Sequence, residues 1–126
     1  MRLLLDTHVL LWWLADDRRL VRRTRQIIAD PNNAIFVSAA SIWEIAIKAG
    51  LGRLKVDVDV LASGLEANGL MSLPIAAAHA AAVFHLPLLH RDPFDRMLIA
   101  QALTEKLQLV TRDPQFAEYD VECIAI

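Results

Sequence analysis

Cysteine occurs once, at position 123, so neither an intrachain disulfide nor a cysteine-rich zinc site is available, and a reducing cytoplasm suits that count. Long apolar runs are missing too. The apolar residues 3–5 and 9–14 are interrupted by Asp6 and His8 and followed by Asp16 and Asp17, far short of the roughly 20 residues a membrane span needs. Met1-Arg2 does not lead into an acid-free signal core with a small-residue cleavage site, so a soluble, cytoplasmic protein is expected. There is no excess of positive charge: the formal net charge is −2, which leaves no global pull toward nucleic acid. Any such pull must be local. Arg18, Arg19, Arg22, Arg23 and Arg25 gather five of the 13 basic residues in one stretch, either as a solvated face or as a contact surface. Repeats, low-complexity segments and linkers are absent. The four histidines, His8, His79, His85 and His90, share no metal-ligand spacing, and core or surface roles are expected for them.

What is abundant is apolar material. Hydrophobic residues make up 56% of 126 positions, more than a monomer of this size readily hides, which favours an oligomer or a bound partner. The length fits one domain spanning residues 1–126. Leu3-Leu4-Leu5 reads as a buried strand that runs into a helix over 8–15. A second helix is predicted over 18–29, stopped by Asp30-Pro31-Asn32-Asn33, and a second strand over 34–37. Ser38 is placed to cap a helix reaching about Ala49. Asp57 or Asp59 opens another helix that ends near Asn68-Gly69, and a third strand covers 70–73. Pro74 begins an alanine-rich helix to about Phe84. Asp92-Pro93 opens a strong helix through Glu105, strands follow over 107–111 and 121–126, and Asp113-Pro114 starts a short turn or helix between them. Strands separated by helices need crossovers, hence an α/β fold, a mainly parallel sheet with helices on both faces.

In such a sheet, function gathers beyond the carboxyl ends of the strands. Asp6 ends the first strand, Asp113 follows the fourth, Asp92 and Asp95 open the helix after the Pro87 loop, and Glu44 lies two turns into the helix after the second. Each acid also has a plain structural reading. Asp6, Asp92 and Asp113 can cap helices, Asp95 can sit at a positive helix end, and Glu44 can pair with Lys48 four residues on. Together those readings weaken. Glu44 lies within Ile42-Trp43-Glu44-Ile45-Ala46-Ile47, where a lone charge is costly, and converging carboxylates raise one another's pKa until a cation joins them. Hard oxygen ligands point to Mg²⁺ or Mn²⁺ and to phosphodiester hydrolysis.

Leu3-Leu4-Leu5-Asp6-Thr7-His8, Ser38-Ala39-Ala40-Ser41-Ile42-Trp43-Glu44, His90-Arg91-Asp92-Pro93-Phe94-Asp95-Arg96-Met97-Leu98-Ile99-Ala100-Gln101-Ala102 and Leu109-Val110-Thr111-Arg112-Asp113 resemble PIN-domain proteins of the VapC toxin type, in order and spacing over nearly the whole chain. The resemblance implies a three-layer α/β/α sandwich and a ribonuclease whose acids bind Mg²⁺ or Mn²⁺. Those acids fall on Asp6, Glu44, Asp95 and Asp113, with Asp92 as a helix cap or supporting residue. It also implies the toxin half of a toxin–antitoxin pair, an RNA substrate, a separately encoded antitoxin and a homodimer. Thr7 and Ser38 are expected to cap helices and to reach phosphate or metal-bound water. Arg91, Arg96 and Arg112, beside the acids in sequence, either orient carboxylates or hold phosphates. Trp12, Trp13 and Trp43 are expected in core or interface rather than as base-stacking platforms. The Leu10-Leu11-Trp12-Trp13-Leu14 run is expected to turn at least one bulky residue toward a neighbour, beside a groove for an antitoxin helix near the acids. Two other classes remain. A phosphoacceptor signalling domain would need an acidic pair after the first strand and a lysine ending the last; Asp6 stands alone and that strand has no lysine. A catalytically silent PIN module that only binds RNA or protein usually lacks the acids present here.

Overall fold

The computed structural model describes residues 1–125. Its sheet has five strands, β1 (Arg2–Leu5), β2 (Ala34–Ser38), β3 (Met71–Leu73), β4 (Gln108–Thr111) and β5 (Cys123–Ala125), in the order β3-β2-β1-β4-β5. Every pairing is parallel. Six helices connect them: α1 (Thr7–Leu14), α2 (Arg22–Ala29), α3 (Ala39–Gly50), α4 (Val58–Ser63), α5 (Ala77–Ala82) and α6 (Pro93–Glu105), with short 3-10 turns at Glu66–Asn68, Val83–His85 and Pro114–Glu118.

The central strand explains the layering. Leu3, Leu4 and Leu5 are all fully buried, yet successive side chains of a strand point to opposite faces. Leu3 and Leu5 join one core with Val9, Leu10, Ile28, Ile35, Ile45 and Val110. Leu4 joins the other with Leu98, Ile99, Leu109, Phe116 and Tyr119. A strand covered on both sides has no polar face, which is why its sequence runs apolar without alternation. The chain winds outward from β1 to β2 and β3, then returns to pair β4 on the opposite side of β1. The reversal between β1 and β4 is the crevice where parallel sheets place their ligands.

Several element ends differ from the sequence expectations. The second helix begins at Arg22 rather than residue 18, because Asp17 closes a turn there: its carboxylate accepts from the Arg19 amide and guanidinium, and its carbonyl accepts from Leu20 N. The alanine-rich helix begins at Ala77 rather than Pro74, since the Pro74 carbonyl accepts from Gln101 Nε2 and the Ala76 amide donates to His79 Nδ1. Leu70 N bonds back to Leu65, so the third strand starts one residue late, after Gly69 with φ of 75°. The last strand covers less than 121–126, starting at Cys123; Ile126 lies outside the described residues. Within the apolar run, Leu10 is buried, Leu11, Trp12 and Trp13 pack against the core, and Leu14 is the exposed member. Among the described residues, no helix is long and apolar enough to cross a membrane.

Candidate active site

Asp6 leaves β1 directly into α1 and caps it, Oδ1 accepting from Val9 N at 2.8 Å. Its Oδ2 accepts from Thr111 Oγ1 at 2.5 Å, and Thr111 Oγ1 accepts from Asp113 N at 3.0 Å. One hydroxyl therefore ties together the two strand ends that flank the crevice. Burial pushes the Asp6 carboxyl above its ordinary range, with those two hydrogen bonds opposing the shift. Asp113 in turn caps the Pro114–Glu118 turn through Gln115 N.

Asp92 caps α6 in the manner its sequence announces. Pro93 takes the first helical position, and Asp92 Oδ1 accepts from Phe94 N and Asp95 N at 2.9 and 3.0 Å. That cap leaves Asp95, in the first turn, facing the crevice. Its carboxyl is pushed up to about 7, first by burial, then by the negative charges of Asp92, Glu44, Asp6 and Asp113. Four acids from four separate segments thus act on a fifth.

Glu44, mid-helix in α3, is buried and has both oxygens engaged: Oε1 accepts from Thr7 Oγ1 at 2.8 Å and Oε2 from Lys48 Nζ at 2.9 Å. The Lys48 pairing is real, and it is what makes a carboxylate tolerable in this apolar stretch. The hydroxyl residues divide differently from expectation. Ser38 does cap α3, through Ala40 N, but it is fully buried and its hydroxyl donates to Gln101 Oε1, so it is out of reach of phosphate. Thr7 caps nothing, since Asp6 holds that position; its hydroxyl serves Glu44 and lies 3.0 Å from Ser41 Oγ.

Arg96 points away from the acids. Its guanidinium donates to the carbonyls of Val83, Leu86, Pro87 and His90, clamping the segment over 83–90. It neither orients a carboxylate nor offers itself to phosphate. Arg112 stacks over the Trp12 ring at 5.6 Å, and Arg19 lies over the same ring at 5.1 Å. Arg91 is exposed and borders an apolar groove of about 540 Å³ with Trp43, Ile75, Leu88, Phe94 and Met97. Trp43 is no core residue: it is 60% exposed and edge-on to Phe94 at 5.0 Å. A second groove, about 670 Å³, runs past His8, Trp12, Arg19, Lys55 and Val60.

His90, expected in a core or surface role, lies beside the acids. Its Nε2 lies 3.0 Å from Asp95 Oδ2 and 3.7 Å from Asp113 Oδ2. His90, Asp95 and Asp113 are, among the described residues, the group whose ligand atoms all fall within 4.8 Å of one another. Asp6 and Glu44 stand outside that spacing. No sequence signal marked His90, because a lone histidine five positions before an acid has no ligand partner at helical spacing; the turn at Asp92 brings it back. The carboxylate oxygens of Asp95 and Asp113 fit a divalent cation, whose charge would offset the repulsion that adds to burial in raising Asp95.

A fold in which acids crown the switch point of an all-parallel sheet defines a class, and the comparisons name it. The PIN domain model matches residues 3–122, and the chain belongs to the PIN-domain family. The relation reaches its VapC-type branch: the chain is 34% identical over 113 residues to Ribonuclease VapC22 of Mycobacterium tuberculosis, covering 87% of this chain and 85% of that protein. Among solved structures, VapBC2 from Rickettsia felis, bound to a promoter DNA fragment, matches with TM-score 0.74 at 18% identity, over 99% of this chain and 98% of that one. FitAcB from Neisseria gonorrhoeae matches with TM-score 0.62 at 22% identity, over 97% and 96%. These likenesses establish the α/β/α fold.

Proposed function

We propose that the chain, as a single PIN-like domain over 1–126, is a Mg²⁺- or Mn²⁺-dependent endoribonuclease and the toxin of a toxin–antitoxin pair. The observation that carries this reading is the convergence of Asp6, Glu44, Asp92 and Asp113 on Asp95, whose carboxyl is raised first by burial and then by the charges of those four acids. Asp95 and Asp113 would hold the cation, with Asp6 and Glu44 at its margin. Held by those carboxylates, such a cation would supply activation of a water and charge compensation for the scissile phosphate. The chain's own groups do the rest. The Thr111 hydroxyl keeps Asp6 aligned, and Lys48 pairs with Glu44 in its apolar surroundings. Of the three arginines beside the acids in sequence, exposed Arg91 and Trp12-stacked Arg112 are the candidates for phosphate contact, Arg96 being committed to carbonyls.

Kinship with Ribonuclease VapC22 supports the RNA substrate, and likeness to VapBC and FitAB assemblies supports a protein partner that restrains the enzyme. Two interfaces need two surfaces. The apolar groove at Trp43, continued by Phe84 (86% exposed) and Leu88 (77% exposed), suits a second copy of the chain. The groove at Trp12, rimmed by Asp17, Arg19, Lys55 and Asp57, suits an antitoxin helix with one apolar face. The deciding experiment incubates the purified chain with labelled total cellular RNA, with Mg²⁺ or Mn²⁺ and then with EDTA. Cleavage that appears with metal and stops with EDTA is expected; RNA that stays intact with both metals would leave a silent binding module.

A further inference from the structure

We propose that His90 is a positioning residue that holds Asp95 and Asp113 at the spacing one cation requires, an inference resting on the metal-site reading above. Both peptide groups of His90 are pinned: its N–H donates to Tyr119 Oη at 2.7 Å, and its carbonyl accepts from Arg96 Nη1 at 3.3 Å. The ring meets Phe116 edge-on at 6.0 Å. Nδ1 accepts from Asp92 N at 3.3 Å, which places the ring proton on Nε2. That nitrogen is buried and has no aligned hydrogen-bond partner, though two carboxylate oxygens lie at 3.0 and 3.7 Å. A donor this close to two acceptors can turn to serve either.

Asp95 and Asp113 need such a tether. They come from different segments, the first turn of α6 and the turn after β4, and like charge pushes them apart. Among the described residues no hydrogen bond holds the Asp95 carboxylate, and the one on Asp113 engages its Oδ1 through Gln115 N, leaving Oδ2 to face His90. Two oxygens on adjacent corners of an octahedral ion with bonds of about 2.1 Å sit about 3 Å apart. The His90, Asp95 and Asp113 ligand atoms already lie within 4.8 Å of one another, and an N–H facing both oxygens holds them together before the ion arrives. This is the supporting role that partners of metal ligands commonly play.

Two variants separate the parts of the ring. His90→Phe keeps the contact with Phe116 and deletes the N–H; His90→Gln keeps an N–H of similar reach and deletes the ring. The readout is Mn²⁺ affinity of the metal-free chain by titration calorimetry, with melting temperature followed in parallel. His90→Phe is expected to bind Mn²⁺ about 10–100-fold more weakly, and His90→Gln to recover most of the loss. Wild-type affinity in His90→Phe, or equal losses in both variants, would overturn the proposal while leaving the metal site itself in place. Should His90→Phe not fold, His90→Ala takes its place under the same criteria. Nitrogen coupling in the pulsed electron paramagnetic resonance of Mn²⁺-loaded wild type would make His90 a ligand instead, which also overturns it. A wild-type chain that binds no Mn²⁺ brings down the metal reading and this one together.

Discussion

Asp95 stores the pH behaviour of the site. Its folded-state pKa of about 7 lies above the ordinary carboxylate value of 3.8, so between those values the folded chain holds a proton that the unfolded chain has released. Its contribution to stability is fully present below about pH 4 and is lost as pH rises through about 7. The metal-free wild type should therefore lose melting temperature relative to Asp95→Asn across that window, and parallel curves for the two would contradict the assignment. Metal affinity should run the other way, rising with pH as the competing proton leaves. Asp95→Asn and Asp6→Asn should each abolish RNA cleavage with the fold intact, since each removes a charge at constant size; circular dichroism beside the cleavage assay checks both. At Asp6 the amide oxygen can still accept from Val9 N, and the Thr111 hydroxyl can turn to accept from the new amide. The acids were legible in the sequence because strand ends and helix caps fix their place. His90 was not, since only the packing of Tyr119 and Arg96 on its peptide groups carries it to the acids.

The helix ends show where local chemistry decides and where tertiary contacts override it. Asp92-Pro93 set the start of α6 from sequence alone because the cap and the proline need no distant partner. Asp92→Ala should cost about 1 kcal/mol of stability for the lost cap, partly offset because Asp92 is the leading charge raising Asp95. Cleavage should fall far less than in Asp95→Asn, which kinetic assays can compare directly. The start of α2 falls later than the arginine spacing suggests because Arg25, though spaced like its neighbours, turns inward to the carbonyls of Asp17 and Leu20 and to Asp16, folding residues 16–20 into a turn. Arg25 is thus structural. Arg18, Arg19, Arg22 and Arg23 are the exposed members of the cluster, with Arg19 paired to Asp17, and replacing Arg18, Arg22 and Arg23 with glutamine should flatten the salt dependence of RNA binding. A slope equal to wild type would return the cluster to a solvated face. The late start of α5 had no signal in the alanine run, since it depends on Gln101 taking the Pro74 carbonyl from across the fold.

At the scale of the molecule, the apolar excess read from composition is found on the surface as Trp43, Phe84, Leu88 and Leu89. Light scattering on the isolated chain should give twice the 14.1 kDa chain mass, and Phe84→Asp with Leu88→Asp should return it to one. A wild-type chain monomeric at high concentration would refute the dimer. The parallel sheet followed from the alternation of strands and helices, whereas the strand order did not, because any neighbour of β1 satisfies an apolar strand equally well. That order has a consequence in time. The hydroxyl that steadies Asp6 comes from Thr111, 105 positions later, and Asp113 lies beyond it. A polypeptide still being made on the ribosome carries Asp6 and Glu44 well before it carries their counterpart. Because β4 must pair beside β1 before Thr111 can reach Asp6 and Asp113 can join the crevice, a product that ends before residue 111 should cleave no RNA, which a truncated chain in the cleavage assay checks.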